Sequence, residues 1–336
     1  MKIACHYTIP QPPNPELDAA VQDGFKIINY FGGEINFLYP GSKPIKLIPR
    51  FLSGFHQMNH IRRLERRVDV HQVFGNGIYP YPAFYLFRKP IVYTSIIGFQ
   101  QRFNPISINI LKRVERFVVT TDEDKKNLNK YGFDSDIIIP GIDIGKFSNT
   151  PSQSQKKFTL LYGSAPWNEE QFESKGVNAL LRVAKNLPWL HLVFLWRGKH
   201  LQKMKERVLF YGLADRAQII DKKVDVNRVL EDVHASIVLA EKSELVKSYP
   251  HSLLESLAAG KPVMISSCIP MSGYVEKNNC GLRVNSIVDS ELENQICLLH
   301  EQYEFYVSNV NKVDLQIFSA EQMLLKYEQL YKKVLG

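Results

Sequence analysis

The sequence predicts an α/β protein built from two Rossmann-like domains, each a parallel sheet with crossover helices. Three observations carry that expectation. Short apolar runs rich in Val, Ile, Phe and Tyr alternate with helical patterns along the whole chain, the signature of strand–helix–strand units. The alternation restarts after "PSQSQKK" (151–157), a polar stretch without periodicity that suits a linker. The length, 336 residues, exceeds one ordinary core and suits two domains of about 150 residues each.

In the first half, "KIACHYTI", "EINFLYP", "DVHQVFG", "PIVYTSII", "RFVVTT" and "DIIIPG" read as strands. Helices fall between them. "PELDAAVQDGFKIINYFGG" ends on a Gly pair, and "TTDEDKKNLNKYGF" opens on Thr and acidic residues, which cap a helix and favour its positive end. In the second half the strands are "FTLLYGS", "LHLVFLW", "AQIID", "HASIVLA", "KPVMIS" and "CGLRV", with helices such as "SKGVNALLRVAKNLP" and "VDVNRVLEDV" between them. Two longer amphipathic helices close the chain. Residues 1–150 are expected to form the first domain and 151–318 the second. Ligand is expected beside the carboxyl ends of the strands.

Composition narrows the function classes. With 45% hydrophobic and 23% charged residues, the chain is globular rather than disordered. Its four cysteines, Cys5, Cys268, Cys280 and Cys297, lie far apart without C-x-x-C spacing, which fits a reducing compartment better than a disulfide or zinc framework. "MKIACHYTIP" reads as a strand and not as a signal peptide, and no run approaches the ~20 apolar residues of a membrane span. A cytoplasmic protein is expected. The net charge is +8, and residues 1–150 hold 19 Lys/Arg against 13 Asp/Glu. "HIRRLERR" (His60 to Arg67), preceded by "LIPRFLSGF", is a solvated helix face, or a patch that meets either acidic lipid head groups at the inner membrane face or an anionic acceptor. Nucleic acid is disfavoured, because no aromatic residues interleave with that patch as stacking platforms.

The most informative stretch is "KSYPHSLLESLAAGKPVMIS" (Lys247 to Ser266). Pro250 suits a helix first turn, Gly260 a left-handed C-cap, and Pro262 stops the helix. A helix from Pro250 to Ala259 would open at the strand carboxyl ends, where the backbone N–H groups of His251, Ser252 and Leu253 suit a phosphate. Glu255, about a turn and a half inside, can accept hydrogen bonds from two ribose hydroxyls.

These residues resemble the signature of the family 4 glycosyltransferases of GT-B fold, in which a glutamate, seven residues and a second glutamate precede A-x-G-x-P-V. "IIIPGIDIGKF" is similar to the family's interdomain segment, "SKGVNALLRVAKNLP" to the helix that begins K-G beside the donor phosphates, and "FSAEQMLLKYEQLY" to the closing helices. The resemblance implies two Rossmann-like domains with parallel sheets facing a central cleft, and a helix at 319–336 that crosses back to the first domain. It implies a nucleotide-sugar donor, UDP- or GDP-linked, in the second domain, a saccharide or glycolipid acceptor in the first, and no metal or resident cofactor. Transfer with retention of configuration, in surface polysaccharide or glycoconjugate assembly, is the expected activity. By the same resemblance Glu255 matches the ribose ligand, Lys175 the lysine that neutralises the donor diphosphate, and Ser252 and Leu253 the backbone phosphate donors. His251, Tyr249, Gly163 and Ser164 complete the expected donor contacts.

Departures from the family pattern are specific. Lys247 stands where the first signature glutamate is expected, so either Lys247 donates to a hydroxyl or carboxylate of the sugar, or Glu244 or Glu241 takes the role. Ser164 and Ala165 stand where an arginine often precedes the lysine. The usual histidine after the fourth strand is replaced by Ile96 or Ile97, with Gln100, Gln101 and Arg102 following. A catalytically silent relative that binds a nucleotide or sugar is the alternative these departures motivate. A nicotinamide-dependent oxidoreductase lacks its G-x-G-x-x-G fingerprint. "DSD" (Asp134 to Asp136) and His56, His60 and His71 lack the context of a metal site.

Overall fold

The computed structural model describes residues 1–12, 15–17, 20–39, 49–98, 102–149, 157–196 and 200–336. Gln100, Gln101 and all of the linker stretch except Lys157 lie outside the described residues. The chain divides into two compact units, Met1–Gly141 with Ile317–Gly336, and Ile142–Gln316. Among the described residues no helix is long and apolar enough to cross a membrane.

The first unit is a sheet of six parallel strands: β1 (Ile3–Pro10), β2 (Gly33–Tyr39), β3 (Val70–Gly75), β4 (Ile91–Ser95), β5 (Arg116–Val119) and β6 (Ser135–Ile137). Their order is β2-β1-β3-β4-β5-β6. Successive side chains on a strand point to opposite faces, and both faces are covered. Ile3, Cys5 and Tyr7 pack with Met323, Tyr327, Leu330 and Tyr331 of the last helix, Ala320–Leu335. Val73, Phe84, Phe87 and Tyr93 pack on the other face with Ile61 of the helix Met58–Leu64.

Neighbouring residues of β3 carry a buried polar network on each face. On one, the Tyr331 hydroxyl donates to Gln72 Oε1 (2.8 Å), Gln72 Nε2 donates to Thr94 Oγ1 (2.8 Å), and Thr94 is bonded to the Tyr327 hydroxyl (3.0 Å). This ties the last helix to the two central strands. The chain leaves the unit at the same place, since the Gly141 N–H donates to Met323 Sδ (3.2 Å) and a Cβ at Gly141 would lie 2.7 Å from Ala320 Cα.

On the opposite face runs a relay. Asn36 Nδ2 donates to Gln57 Oε1 (2.9 Å) and to His6 Nδ1 (3.1 Å). His6 Nε2 therefore carries the proton and donates to His71 Nδ1 (2.9 Å), and His71 Nε2 donates to Glu65 Oε1 (3.2 Å). Gln57 Nε2 closes the near end on the Phe37 carbonyl (2.7 Å). Burial raises the Glu65 pKa, but hydrogen bonds from His71, the Arg88 N–H (2.6 Å) and Arg62 (2.9 Å) outweigh it and bring the carboxyl down to about 2. Burial, reinforced by His71, holds His6 well below the usual histidine value. Burial also lowers His71, with Glu65 partly opposing. The motif histidines are thus divided: His71 is a relay member, His60 lies on the helix Met58–Leu64, and His56 on the preceding 3₁₀ turn. Among the described residues no group of His, Cys, Asp or Glu is arranged to hold a metal.

The second unit has β7 (Phe158–Tyr162), β8 (Leu190–Leu195), β9 (Ala217–Ile220), β10 (Ala235–Val238), β11 (Val263–Ser266) and β12 (Gly281–Val284), all parallel, in the order β12-β11-β10-β7-β8-β9. Its core joins β7, β8 and β10 to Leu180, Leu181 and Ala184 of the helix Val177–Asn186. The strand order reverses at β7, which pairs with β8 on one side and β10 on the other. In open parallel sheets such a reversal opens a crevice outside the strand carboxyl ends.

The relay predicts an acid-sensitive first unit. A histidine held neutral in the fold takes up its proton only on unfolding, so stability is retained above pH 6.5 and falls as pH drops below it, by about 1.4 kcal/mol per pH unit for each group. His71→Gln can keep both hydrogen bonds without titrating. Thermal unfolding between pH 7 and pH 5 should show a steeper loss for the wild type than for His71→Gln; equal slopes would refute the assignment.

Candidate functional site

The strand reversal in the second unit gathers most of the residues singled out in the sequence. Gly163 and Ser164 follow β7 directly, Glu241 to Tyr249 follow β10, and the helix His251–Ala258 starts just beyond. Pro250 is the N-cap of that helix, with extended ψ of 125°, rather than its first helical residue, because a proline that lacks an N–H can precede the first turn without loss. Gly260 follows the C-cap with φ +74°.

Gly163 and Ser252 touch. A Cβ on Gly163 would lie 2.8 Å from Ser252 Cβ and 3.1 Å from its Oγ, so only glycine lets the strand end approach the start of the helix this closely. The carboxyl end of β7 therefore meets the positive pole of the helix, where the first backbone N–H groups have no partner within the helix itself. Of the three amides expected to face an anion, that of Leu253 instead donates to the Pro250 carbonyl at 3.0 Å in a tight first turn, and its side chain is fully buried. His251 is buried and Ser252 half-buried on the same turn. Glu255 is half-buried one helical step beyond them, on the face shared by positions three and four apart.

Lys175 sits beside this junction. The expected single helix beginning at Lys175 is two: Gln171–Ser174, which Lys175 caps at its C-terminal end, and Val177–Asn186, whose N-cap is Gly176. Lys175 thus occupies the end of a helix that favours a cation, not the start that disfavours one. The break requires Gly176, which has φ +67° and whose Cβ would lie 2.7 Å from Leu239 Cδ1 and 2.9 Å from Ile287 Cγ2. The Tyr162 hydroxyl donates to the Lys175 carbonyl (2.9 Å) and is itself bonded to Ser164. The Glu241 N–H donates to the Ser174 carbonyl (2.8 Å). The ends of β7 and β10 thereby fix the lysine from both sides.

Only 3% of Lys175 is exposed. Its ammonium is 3.5 Å from the Ala165 carbonyl, and no carboxylate pairs with it among the described residues. Burial pushes its pKa down to about 8. A desolvated cation that no carboxylate among the described residues pairs with, beside a helix N-terminus, has the chemistry that suits an anion.

The remaining candidates lie around the rim. Glu244 is exposed on the 3₁₀ turn Ser243–Leu245, and its charge reinforces the effect of burial in raising the thiol pKa of Cys268, whose Sγ is 3.1 Å from the Ala240 carbonyl. Lys247 is half-buried in the loop that the Met271 N–H ties down through the Ser248 carbonyl (3.1 Å). Tyr249, also half-buried, lies near Tyr274, whose hydroxyl donates to the Asp314 carbonyl (3.3 Å). Further along the same sheet, Ile219 and Ile220 end the edge strand β9, and Asp225 caps the helix Val226–Glu231 by accepting from the Asn227 N–H (3.0 Å). Asp134 and Asp136, in the first unit, flank Ser135 of β6 and pair with Arg116 at 3.2 and 3.9 Å. The roles of Tyr162 and Gly176 escape sequence reasoning, although a tyrosine just ahead of Gly163 and a glycine just after Lys175 are the signals that point to them.

Residues 154–308 match the family model described as "Glycosyl transferases group 1". No curated protein sequence matches the chain. Among solved structures, sucrose-phosphate synthase from Thermosynechococcus elongatus is similar with a TM-score of 0.74 at 14% identity, over 99% of each chain. Anabaena HepE, crystallised with UDP-glucose, gives a TM-score of 0.74 at 14% identity over 99% of this chain and 100% of its own. WaaG, a glycosyltransferase involved in lipopolysaccharide biosynthesis, gives 0.65 at 14% identity over 96% and 98%. With two six-stranded parallel sheets, the fold is GT-B.

The buried ammonium should weigh against stability in the empty protein. A folded-state pKa near 8 against an ordinary value of 10.5 amounts to about 3 kcal/mol, present in full below pH 8 and disappearing as pH rises toward 10.5. Lys175→Met, similar in length and apolar, should therefore raise the melting temperature of the ligand-free protein at pH 7. A lower melting temperature would mean that the charge is compensated.

Proposed function

We propose that the chain is a glycosyltransferase that moves a sugar from a nucleoside-diphosphate donor to a saccharide or glycolipid acceptor. The observation that carries this reading is Lys175: a buried cation, paired with no carboxylate among the described residues, set between a strand end and a helix N-terminus at the sheet's reversal point. The match of residues 154–308 to the group 1 model supports it, because that span holds every donor-site candidate. The crystallisation of HepE with UDP-glucose favours UDP over GDP as the first donor base to test.

In this reading the diphosphate lies over Ser252 and the start of the helix, with Lys175 on its flank and Glu255 holding the ribose hydroxyls. Lys175 and the helix N-terminus stabilise the charge that develops on the leaving diphosphate as the glycosidic bond breaks, which is the main electrostatic demand of the step. The leaving phosphate takes the acceptor proton on the same face, so the configuration is retained and no protein base is needed. Positioning supplies the rest. Because Lys175 provides the positive charge, the transfer is read as metal-independent. Lys247 or Glu244 contacts the donor sugar, and the first unit presents the acceptor, in polysaccharide or glycoconjugate assembly at the cytoplasmic side of a membrane.

Calorimetric titration with UDP, GDP and their sugar conjugates tests the reading. One nucleotide should bind selectively, with affinity at least about tenfold weaker in Glu255→Ala and in Lys175→Met. Affinity should also fall as pH rises through about 8, where Lys175 loses its proton. Gly163→Ala should weaken the same nucleotide by displacing Ser252. Absence of binding, or wild-type affinity in both Glu255→Ala and Lys175→Met, would sink the proposal. Lys247 favours one second reading, a relative that binds donor without turning it over; tight binding of a nucleotide-sugar that is never consumed in the presence of acceptors would select it.

A further inference from the structure

The second unit leaves one aromatic side chain in solvent at the end of its sheet where the strands open. Among the described residues of that unit three aromatic side chains are exposed, Trp167, Phe210 and Phe305. Phe210 ends the helix Leu201–Phe210, and Phe305 lies on the helix Tyr303–Val310. Trp167, 49% exposed, stands instead on the segment that leaves the carboxyl end of β7, between Ser164 and Lys175.

The segment that bears the indole is fastened along its length. Pro166 is buried. The Trp167 N–H donates to Gln171 Oε1 (2.8 Å), and the Gln171 N–H donates to Asn168 Oδ1 (3.1 Å). Glu169 pairs with Lys203 (2.5 Å), and the fully buried Phe172 carries the Arg207 guanidinium on its ring, 4.0 Å from the centroid. Both cations belong to the helix Leu201–Phe210. A side chain held in place before a ligand arrives binds it without an ordering cost. The segment also borders the buried ammonium, because the Ala165 carbonyl is 3.5 Å from Lys175 Nζ. Two residues of chain span at most about 7 Å, so Trp167 starts within that distance of Ala165.

We infer that Trp167 is the platform on which the sugar of the donor lies, with the C–H face of a pyranose against the indole. Carbon-bound hydrogens of a sugar ring carry partial positive charge and make no hydrogen bonds, and the face of an aromatic ring is its negative pole. Pockets that take small ligands combine such apolar surfaces with a few placed polar groups, here the indole and the Lys175 ammonium. The inference rests on the donor-site reading, in which Glu255 draws the ribose onto the helix His251–Ala258. Trp167 stands on the other element of that junction, the segment leaving β7, so the ring left for it is the transferred sugar and not the base. The substrate class is a nucleoside-diphosphate pyranose with one ring face open to stacking.

Calorimetric titration of the full chain with UDP, UDP-glucose, UDP-galactose and UDP-N-acetylglucosamine tests it. One conjugate should bind more tightly than UDP. Trp167→Ala should weaken that conjugate by about fivefold, the worth of one aromatic contact, and leave UDP unchanged. Trp167→Phe, which keeps an aromatic face, should retain most of the affinity. The conjugate should also shift the tryptophan emission of the wild type further than UDP does, and Trp167→Phe should abolish that excess. Of the other two tryptophans, Trp189 is half-buried and Trp196 is 1% exposed. Equal weakening of UDP and conjugate in Trp167→Ala would assign the indole to the base and overturn the inference. Undiminished conjugate binding by Trp167→Ala, or no gain of any conjugate over UDP, would overturn it as well. Each of these results leaves UDP bound to the wild type, whereas the donor-site reading itself fails when no nucleotide binds, and takes this inference with it.

Discussion

The second unit is organised around one electrostatic constraint, an ammonium taken out of water with no carboxylate among the described residues to receive it. Such a group persists in a fold only if the surrounding structure over-determines its position. Here Tyr162 and Ser164 hold the lysine backbone from the end of β7 and Glu241 holds it from the end of β10, while Gly176 turns the chain away behind it. These contacts are fixed by elements on either side of the strand reversal. The same strands that build the core thereby leave a positive charge and a helix N-terminus at one crevice.

The two units share an architecture and use polar groups differently. In the second, a buried ammonium is left without a carboxylate partner among the described residues, at the crevice where the strand order reverses. In the first, β3 carries two networks on opposite faces through consecutive residues, His71 and Gln72, and every link in them is made within the protein. Fully satisfied buried networks rigidify and specify a structure. The tyrosine–glutamine network fixes the last helix on the sheet, and the histidine relay fixes the basic helix and its preceding turn.

Fold class is legible in the sequence because it rests on local signals. Of the twelve strands among the described residues, eleven coincide with an expected apolar run and β6 (Ser135–Ile137) meets only the start of "DIIIPG", while Pro250 and Gly260 bracket their helix to within a residue. The donor-site candidates are legible as identities, and so is their common location. Their physical state is not. That Lys175 is buried depends on Tyr162, Leu239 and Glu241, none adjacent to it in sequence, and its K-G pair reads equally well as one helix start or as the break between two helices. The relay is less legible still. His6, Asn36 and His71 stand on three strands and meet only through sheet register, whereas the i, i+4 spacing of His56 and His60 draws attention to a pair that forms none of its hydrogen bonds.

The donor order of that relay has a consequence for how the first unit opens. From the Phe37 carbonyl to Glu65, each group has one orientation that satisfies both neighbours, so no member can rotate alone without orphaning the next. Gln57, the helix Met58–Leu64 and the Arg88 backbone are joined through it to the interior strands β1 and β3. Segments coupled this way separate from a sheet as one cooperative unit. The amides of residues 55–65 then share one free energy of opening rather than fraying singly, and the turn that bears Phe55 is as rigid as the histidines beneath it.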